Sequence, residues 1–207
     1  MILDPYFYVV AVLSVFFHGM GKAGFGLGLP ILAIPLMSIF IPPLQALAIL
    51  VIPLIFMDLV TIRRFWSLWD LELVKSIIPL TLFGVIIGTI TYSFLSDNSI
   101  RIILGVIACG FGLEYFVNKS KKIVKSSKAA GTFWSTLAGF TSFTIHAGGL
   151  PLSFYLLPMR LDRRKYVATL AIVFLALNLF KMIPYAYFGQ INFQNLLTSI
   201  LLLPLAP

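Results

Sequence analysis

Two glycine-rich runs, each closing on Gly-Leu-Pro, hold most of the side chains in this sequence that are able to do chemistry. The first spans Gly19 to Pro30 and the second Gly139 to Pro151. Lys22 lies in the first with Gly24, Gly26 and Gly28, and Thr141, Ser142, His146, Gly148 and Gly149 lie in the second. Glycines let the backbone present N–H groups, and a helix restarting near Phe25 or near Gly148 would add a partial positive charge of about 0.5 unit. Backbone donors, hydroxyls and a lysine gathered in one place suit the holding of a small anion. No Cys/His cluster or carboxylate pair suggests a metal, and no cofactor is expected. A literal G-x-G-x-x-G at Gly19, Gly21 and Gly24 binds dinucleotides only between a strand and a helix. An apolar segment precedes it here, which sets the nucleotide reading aside.

Lys181 stands deep in the apolar segment 166–188, where a central lysine costs roughly 2.5–3.5 kcal/mol on insertion scales. Either it reaches outward past Pro184, or it faces a solute path as the counter-charge of an anion. His18 and His146 lie beside and inside the two runs. Each is open to a packing role or to a site role, and titration near neutral pH makes a proton a candidate coupling ion. Thr141 and Ser142 offer hydroxyl donors, with helix carbonyls as competing partners. Asp58 and Asn178, with His18, Pro30 and Pro151, are read as gating or structural residues, because a carboxylate repels an anion. Asp58 could instead pair with Arg63 or Arg64. Ser142 and His146 are spaced i, i+4 and so admit a nucleophile and its base, the signature of an intramembrane serine hydrolase. The run Phe140-Thr141-Ser142-Phe143 lacks the glycines that expose a serine in a G-x-S-x-G elbow, which counts against an enzyme.

What must position these residues is a membrane bundle. The 207 residues are 60% hydrophobic and 11% charged, with a mean hydropathy of +1.03, far outside the soluble range. Several uncharged stretches approach the ~20 residues that cross a hydrocarbon core. The net charge of +8 sits in short loops and reads as a topology signal toward anionic lipid, not as a nucleic-acid surface. Cys109 is the single cysteine, so no intrachain disulfide forms. Asp4 precedes the first apolar run and no basic residue precedes Lys22, so no removable signal peptide is expected.

The apolar segments arrange as a repeat. A first unit, 1–118, holds a broken hairpin over 5–41 and helices over 44–62, 74–95 and 99–117. A Lys-rich loop follows at 119–130. A second unit, 131–207, holds a broken hairpin over 131–158 and helices over 166–188 and 192–207. Pro30 and Pro151 lie 121 residues apart (151 − 30), Asp58 and Asn178 lie 120 apart (178 − 58), and Asp70 and Asn192 lie 122 apart (192 − 70). Lys119 to Lys128 and Arg160 to Lys165 place their loops in the cytoplasm, as do Arg63 and Arg64, whereas Ile41-Pro42-Pro43 carries no charge. The two hairpins therefore open to opposite sides, which predicts inverted repeats and alternating access. The 16 residues from Asn192 to Pro207 reach only about 24 Å at ~1.5 Å each. A truncated second repeat is expected, with a homo-oligomer as a candidate assembly. Gly84 and Gly88, and Gly105 with Cys109, form small-residue faces for close helix packing.

The duplicated Gly-x-Pro breaks, the Tyr155-Leu156-Leu157 run and Asn178 in the following helix resemble the sulfite exporter TauE/SafE family of membrane permeases over essentially the whole chain. The resemblance implies an all-α polytopic permease of a prokaryotic plasma membrane, moving small, often sulfur-containing anions such as sulfite or sulfonates. It carries the family's glycine signatures onto Gly24, Gly26, Gly28 and Pro30, and onto Gly148, Gly149 and Pro151. Leu27 departs from the tighter glycine run that members commonly have. The alternative from another class is a non-transporting membrane assembly or accessory protein.

Overall fold

The computed structural model describes residues 2, 4–22, 29–94 and 127–205, with scattered helical residues between 98 and 113. Every regular element among them is helical, in line with the all-α membrane fold expected from composition. Helix α1 spans Pro5–Lys22, α2 Ala33–Met37, α3 Pro43–Arg64, α4 Leu71–Ser93, α5 Lys128–Ile145, α6 Gly149–Leu156, α7 Arg163–Tyr187 and α8 Phe193–Leu202. Short 3-10 turns precede α2 and follow α6 and α8.

Local chemistry explains where these helices start. Pro43 opens α3 at a position where its missing N–H costs nothing. Asp70 caps α4 by accepting from Leu73 N at 3.1 Å, and Asn192 caps α8 by accepting from Asn195 N at 3.0 Å. Ser127 does the same for α5, and Asp162 for α7. Each side-chain oxygen satisfies one orphan N–H of its helix. Helices α3, α4 and α7 are long and apolar enough to cross a membrane, with mean hydropathies of 2.3, 2.0 and 2.0. Phe83, Ile86, Ile87 and Ile90 on α4, and Leu179 and Ile183 on α7, stay exposed. An apolar outer face of this kind belongs against lipid. Trp66 and Trp69, edge to face at 5.3 Å, mark the interfacial level beyond Arg63 and Arg64.

Helix α3 runs through the core, packed against α7 and α8, while α4 packs against α5 and α7. The α4–α5 crossing brings backbone onto backbone. A β-carbon on Gly84 would strike the Thr136 carbonyl oxygen, and one on Gly139 would strike that of Thr81. Gly88 leaves room for Phe143, whose ring carbon would lie 2.9 Å from an added β-carbon. The Gly84 and Gly88 face thus carries a real contact, whereas an added β-carbon on Gly105 meets nothing within 4 Å among the described residues.

The second break is narrower than the glycine run that announces it. Gly139 sits inside α5, which continues to Ile145, so the second interruption is confined to 146–148. Gly139 is glycine because of the Thr81 contact and not because the helix stops there. Likewise α1 runs through Gly19 and Gly21 to Lys22. Gly24, Gly26 and Gly28, and the lysines 119, 121, 122 and 125, lie outside the described residues.

Candidate functional site

Helices α1, α3, α5, α6 and α7 converge on a cavity of about 60 Å³. That space exceeds what a single water requires and is of the order of a small polyatomic ion. Two clusters built around lysines form its polar wall.

The first cluster joins α1, α3 and α7. Lys22, at the C-terminal end of α1, donates to Asp58 on α3, and Asn178 on α7 donates to the other oxygen of that carboxylate at 2.8 Å. Lys22 also lies 5.6 Å from the centroid of the Phe174 ring, within cation–π range. Asp58 is buried at 1% exposure, and Lys22 keeps 18% of its side chain exposed. Asp58 is thereby matched by Lys22 rather than by Arg63 or Arg64, and the pair adds no net charge to the cavity.

The second cluster joins α5 and α7. His146 ends α5 in the left-handed region at φ 54°, a conformation that costs a residue bearing a β-carbon about 1–2 kcal/mol. Its backbone N–H reaches Ser142 O at 3.2 Å. Its ring Nε2 lies 2.9 Å from Leu47 O on α3. A carbonyl can only accept, so Nε2 carries the hydrogen and Nδ1 offers a lone pair. Lys181 Nζ lies 2.9 Å from that Nδ1 and 3.1 Å from both Ser142 O and Ser142 Oγ. Three acceptors match the three ammonium hydrogens, all three are neutral, and Lys181 is fully buried. No acid pairs with it among the described residues. Ser142 Oγ accepts from Lys181, and Ser142 lines the cavity.

His18 completes the wall on the α1 side. Its Nδ1 lies 2.9 Å from Ser14 O, which puts the hydrogen on Nδ1 and leaves Nε2 as a bare acceptor. Nε2 is buried and has no hydrogen-bond partner among the described residues. The His18 and His146 rings meet edge to face at 6.1 Å, so the histidines of the two runs share one site.

The remaining candidates divide. Gly149 and Pro30 line the cavity, and Gly149 brings the uncapped start of α6 to its wall. Gly148 serves packing: an added β-carbon would fall 2.7 Å from Ala138 O and 2.8 Å from Ser142 Cβ. Thr141 turns its hydroxyl back to Leu137 O at 2.9 Å, and Pro151 is buried in the first turn of α6. Lys181 stands between the side chains of Ser142 and His146, and among the described residues no side-chain hydrogen bond joins those two.

Sequence reasoning passed over Leu54, Leu170 and Phe174, all of which line the cavity. The signal was present on α7. Leu170, Phe174, Asn178 and Lys181 follow i, i+4, i+8, i+11 spacing and share one helix face.

No curated protein and no solved structure matches the chain. The model of the sulfite exporter TauE/SafE family matches residues 11–207, nearly the whole chain, and the chain therefore belongs to this family of membrane transporters.

Proposed function

We propose that the chain carries small sulfur oxyanions, sulfite or a small organosulfonate, through this cavity by alternating access in a prokaryotic plasma membrane. The observation that carries the reading is Lys181, a fully buried lysine at the cavity wall whose partners are all neutral. A buried charge without a counter-ion is costly, and an anionic solute supplies the missing partner. Ser142 O–H and the start of α6 add donors, while Lys22 and Asp58 hold α1 to α3 as a neutral pair.

Alternating access in this reading comes from inverted repeats, 1–118 and 131–207, with the 119–130 loop cytoplasmic. Three observations support it. Asp58 and Asn178, aligned at an offset of 120 residues, bond to each other. Asp70 and Asn192 cap α4 and α8 in the same way. Lys165 pairs with Asp70 at 2.7 Å, and Gln45, 120 residues before Lys165 (165 − 45), bonds to Asn195 at 2.8 Å.

The test is uptake of labelled sulfite, sulfate and a small sulfonate into liposomes holding the purified chain or Lys181→Met. Saturable flux that disappears in the variant is the expected result. Flux unchanged by Lys181→Met removes this lysine from the path, and no flux in either points to the accessory-protein alternative. An accessibility scan that found residues near 42 and near 121 on the same side would overturn the inverted topology.

A further inference from the structure

The two lysine clusters and the bare nitrogen of His18 restrict which anions this cavity accepts. We propose that it selects a monoanion carrying its own hydrogen-bond donor, hydrogen sulfite in its O–H form among sulfur oxyanions, with His18 Nε2 as the acceptor that makes the choice. The proposal rests on the anion-permease reading and names the substrate class within it.

Charge is the first argument. The ionisable groups that act on His18 are Lys22 on its own helix, His146 from the end of α5 and Lys181 from α7, with Asp58 from α3 bonded to Lys22. Helices α2 and α8, also against α1, bring no ionisable side chain. Lys22 and Asp58 cancel. His146 is neutral, since one ring nitrogen donates to Leu47 O and the other accepts from Lys181. Lys181, whose nitrogen faces three acceptors as an ammonium would, brings one positive charge when protonated. A monoanion balances it, whereas a dianion leaves a negative charge uncompensated in a low-dielectric site.

Hydrogen bonding is the second and independent argument. His18 Nε2 is a buried acceptor without a donor among the described residues, in a side chain only 3% exposed that lines the cavity. A fully deprotonated oxyanion offers only acceptors and leaves Nε2 unsatisfied. An oxyanion with one O–H remaining donates to Nε2 while its other oxygens accept from Ser142 O–H. Each turnover then moves the anion together with one proton, held on the solute at the His18 contact.

Flux assays compare hydrogen sulfite with methanesulfonate, a monoanion with similar sulfur-bound oxygens and no donor. Wild-type liposomes should prefer hydrogen sulfite by at least about fivefold in apparent affinity, the consequence of leaving a buried acceptor unpaired. His18→Leu should bring that ratio close to one, and His18→Gln, which keeps an acceptor, should retain part of it. A second arm needs no variant. As pH rises from about 6 to about 8, hydrogen sulfite gives way to its dianion, and half-saturating total sulfite should rise roughly fivefold or more while that of methanesulfonate stays level. Equal affinity for the two anions, a ratio unmoved in His18→Leu, or parallel pH profiles would overturn this selection and leave the permease reading standing. Absence of flux for both anions in the wild type would overturn the permease reading itself.

Discussion

Two lysines stand at one cavity wall, and their surroundings differ in a single respect. Lys22 meets a carboxylate, Asp58, which Asn178 also holds. Lys181 meets a hydroxyl, a carbonyl and an imidazole nitrogen. Both are satisfied as hydrogen-bond donors, but only the first is matched in charge among the described residues. Satisfying a donor and neutralising a charge are separate requirements in a medium of low dielectric. In the proposed reading the first cluster is complete without a solute, and the second is complete only with an anion beside it. That reading divides structural and solute-facing roles between residues of one type, according to what lies opposite.

The sharpest way to break that contrast is to remove each charge in turn. Lys181→Met should depress anion flux by at least about 30-fold, the scale for losing one partner of a buried charge pair, without leaving an unpaired ion in the empty protein. Lys22→Met should do the reverse and cost about 3 kcal/mol of stability, because Asp58 then stays buried and unpaired. Thermal unfolding in detergent reads this, and adding Asp58→Asn should recover most of the loss, with the coupling given by the double-mutant cycle. If both methionine variants lose flux and stability equally, the division of roles fails.

A smaller effect sharpens the second cluster. Ser142→Ala removes one donor to the solute and should weaken half-saturation by about 5- to 10-fold, near 1 kcal/mol, as measured by concentration-dependent uptake. Smallest of all is the same contrast at the helix ends. Lys165 pairs with Asp70 where α7 meets α4, while neutral Gln45 pairs with Asn195 where α3 meets α8. The hydrogen bond from Lys165, then that from Leu73 N–H, holds the Asp70 carboxyl below its usual range. A lowered carboxylate stabilises the fold above its unfolded pKa of about 4, and that contribution is lost as pH falls through the folded value. Asp70→Asn keeps the cap and should cost less than about 1 kcal/mol at neutral pH. Its stability should also decline less steeply than the wild type's in an acid titration followed by circular dichroism.

Much of the architecture was legible because membrane helices announce themselves by composition. A helix such as α3 can hold thirteen buried residues and still be read from its apolar run alone, bounded by Pro43 and by Arg63-Arg64. Asp70 and Asn192, aligned in the proposed repeat, are both helix caps. The extent of the breaks was not legible. Gly139 resembles the start of an interruption, yet it is helical and glycine because Thr81 lies against it, a contact made 58 residues away (139 − 81). Thr141 and Ser142 are adjacent hydroxyls with equal claims in the sequence, but one bonds back to its own helix and the other meets Lys181.

The sequence by itself determined that this chain lives in a bilayer, that two similar glycine-rich runs close on Gly-Leu-Pro, and that buried cations need explanation, since hydropathy and helix-breaking residues act locally. Only the tertiary structure decided which cation is neutralised and which ring nitrogen is left bare. Those outcomes depend on partners from other helices, Asp58 against Lys22, Leu47 against His146 and Ser142 against Lys181, brought within hydrogen-bond range by packing. Electrostatics in a medium of low dielectric is settled at such distances.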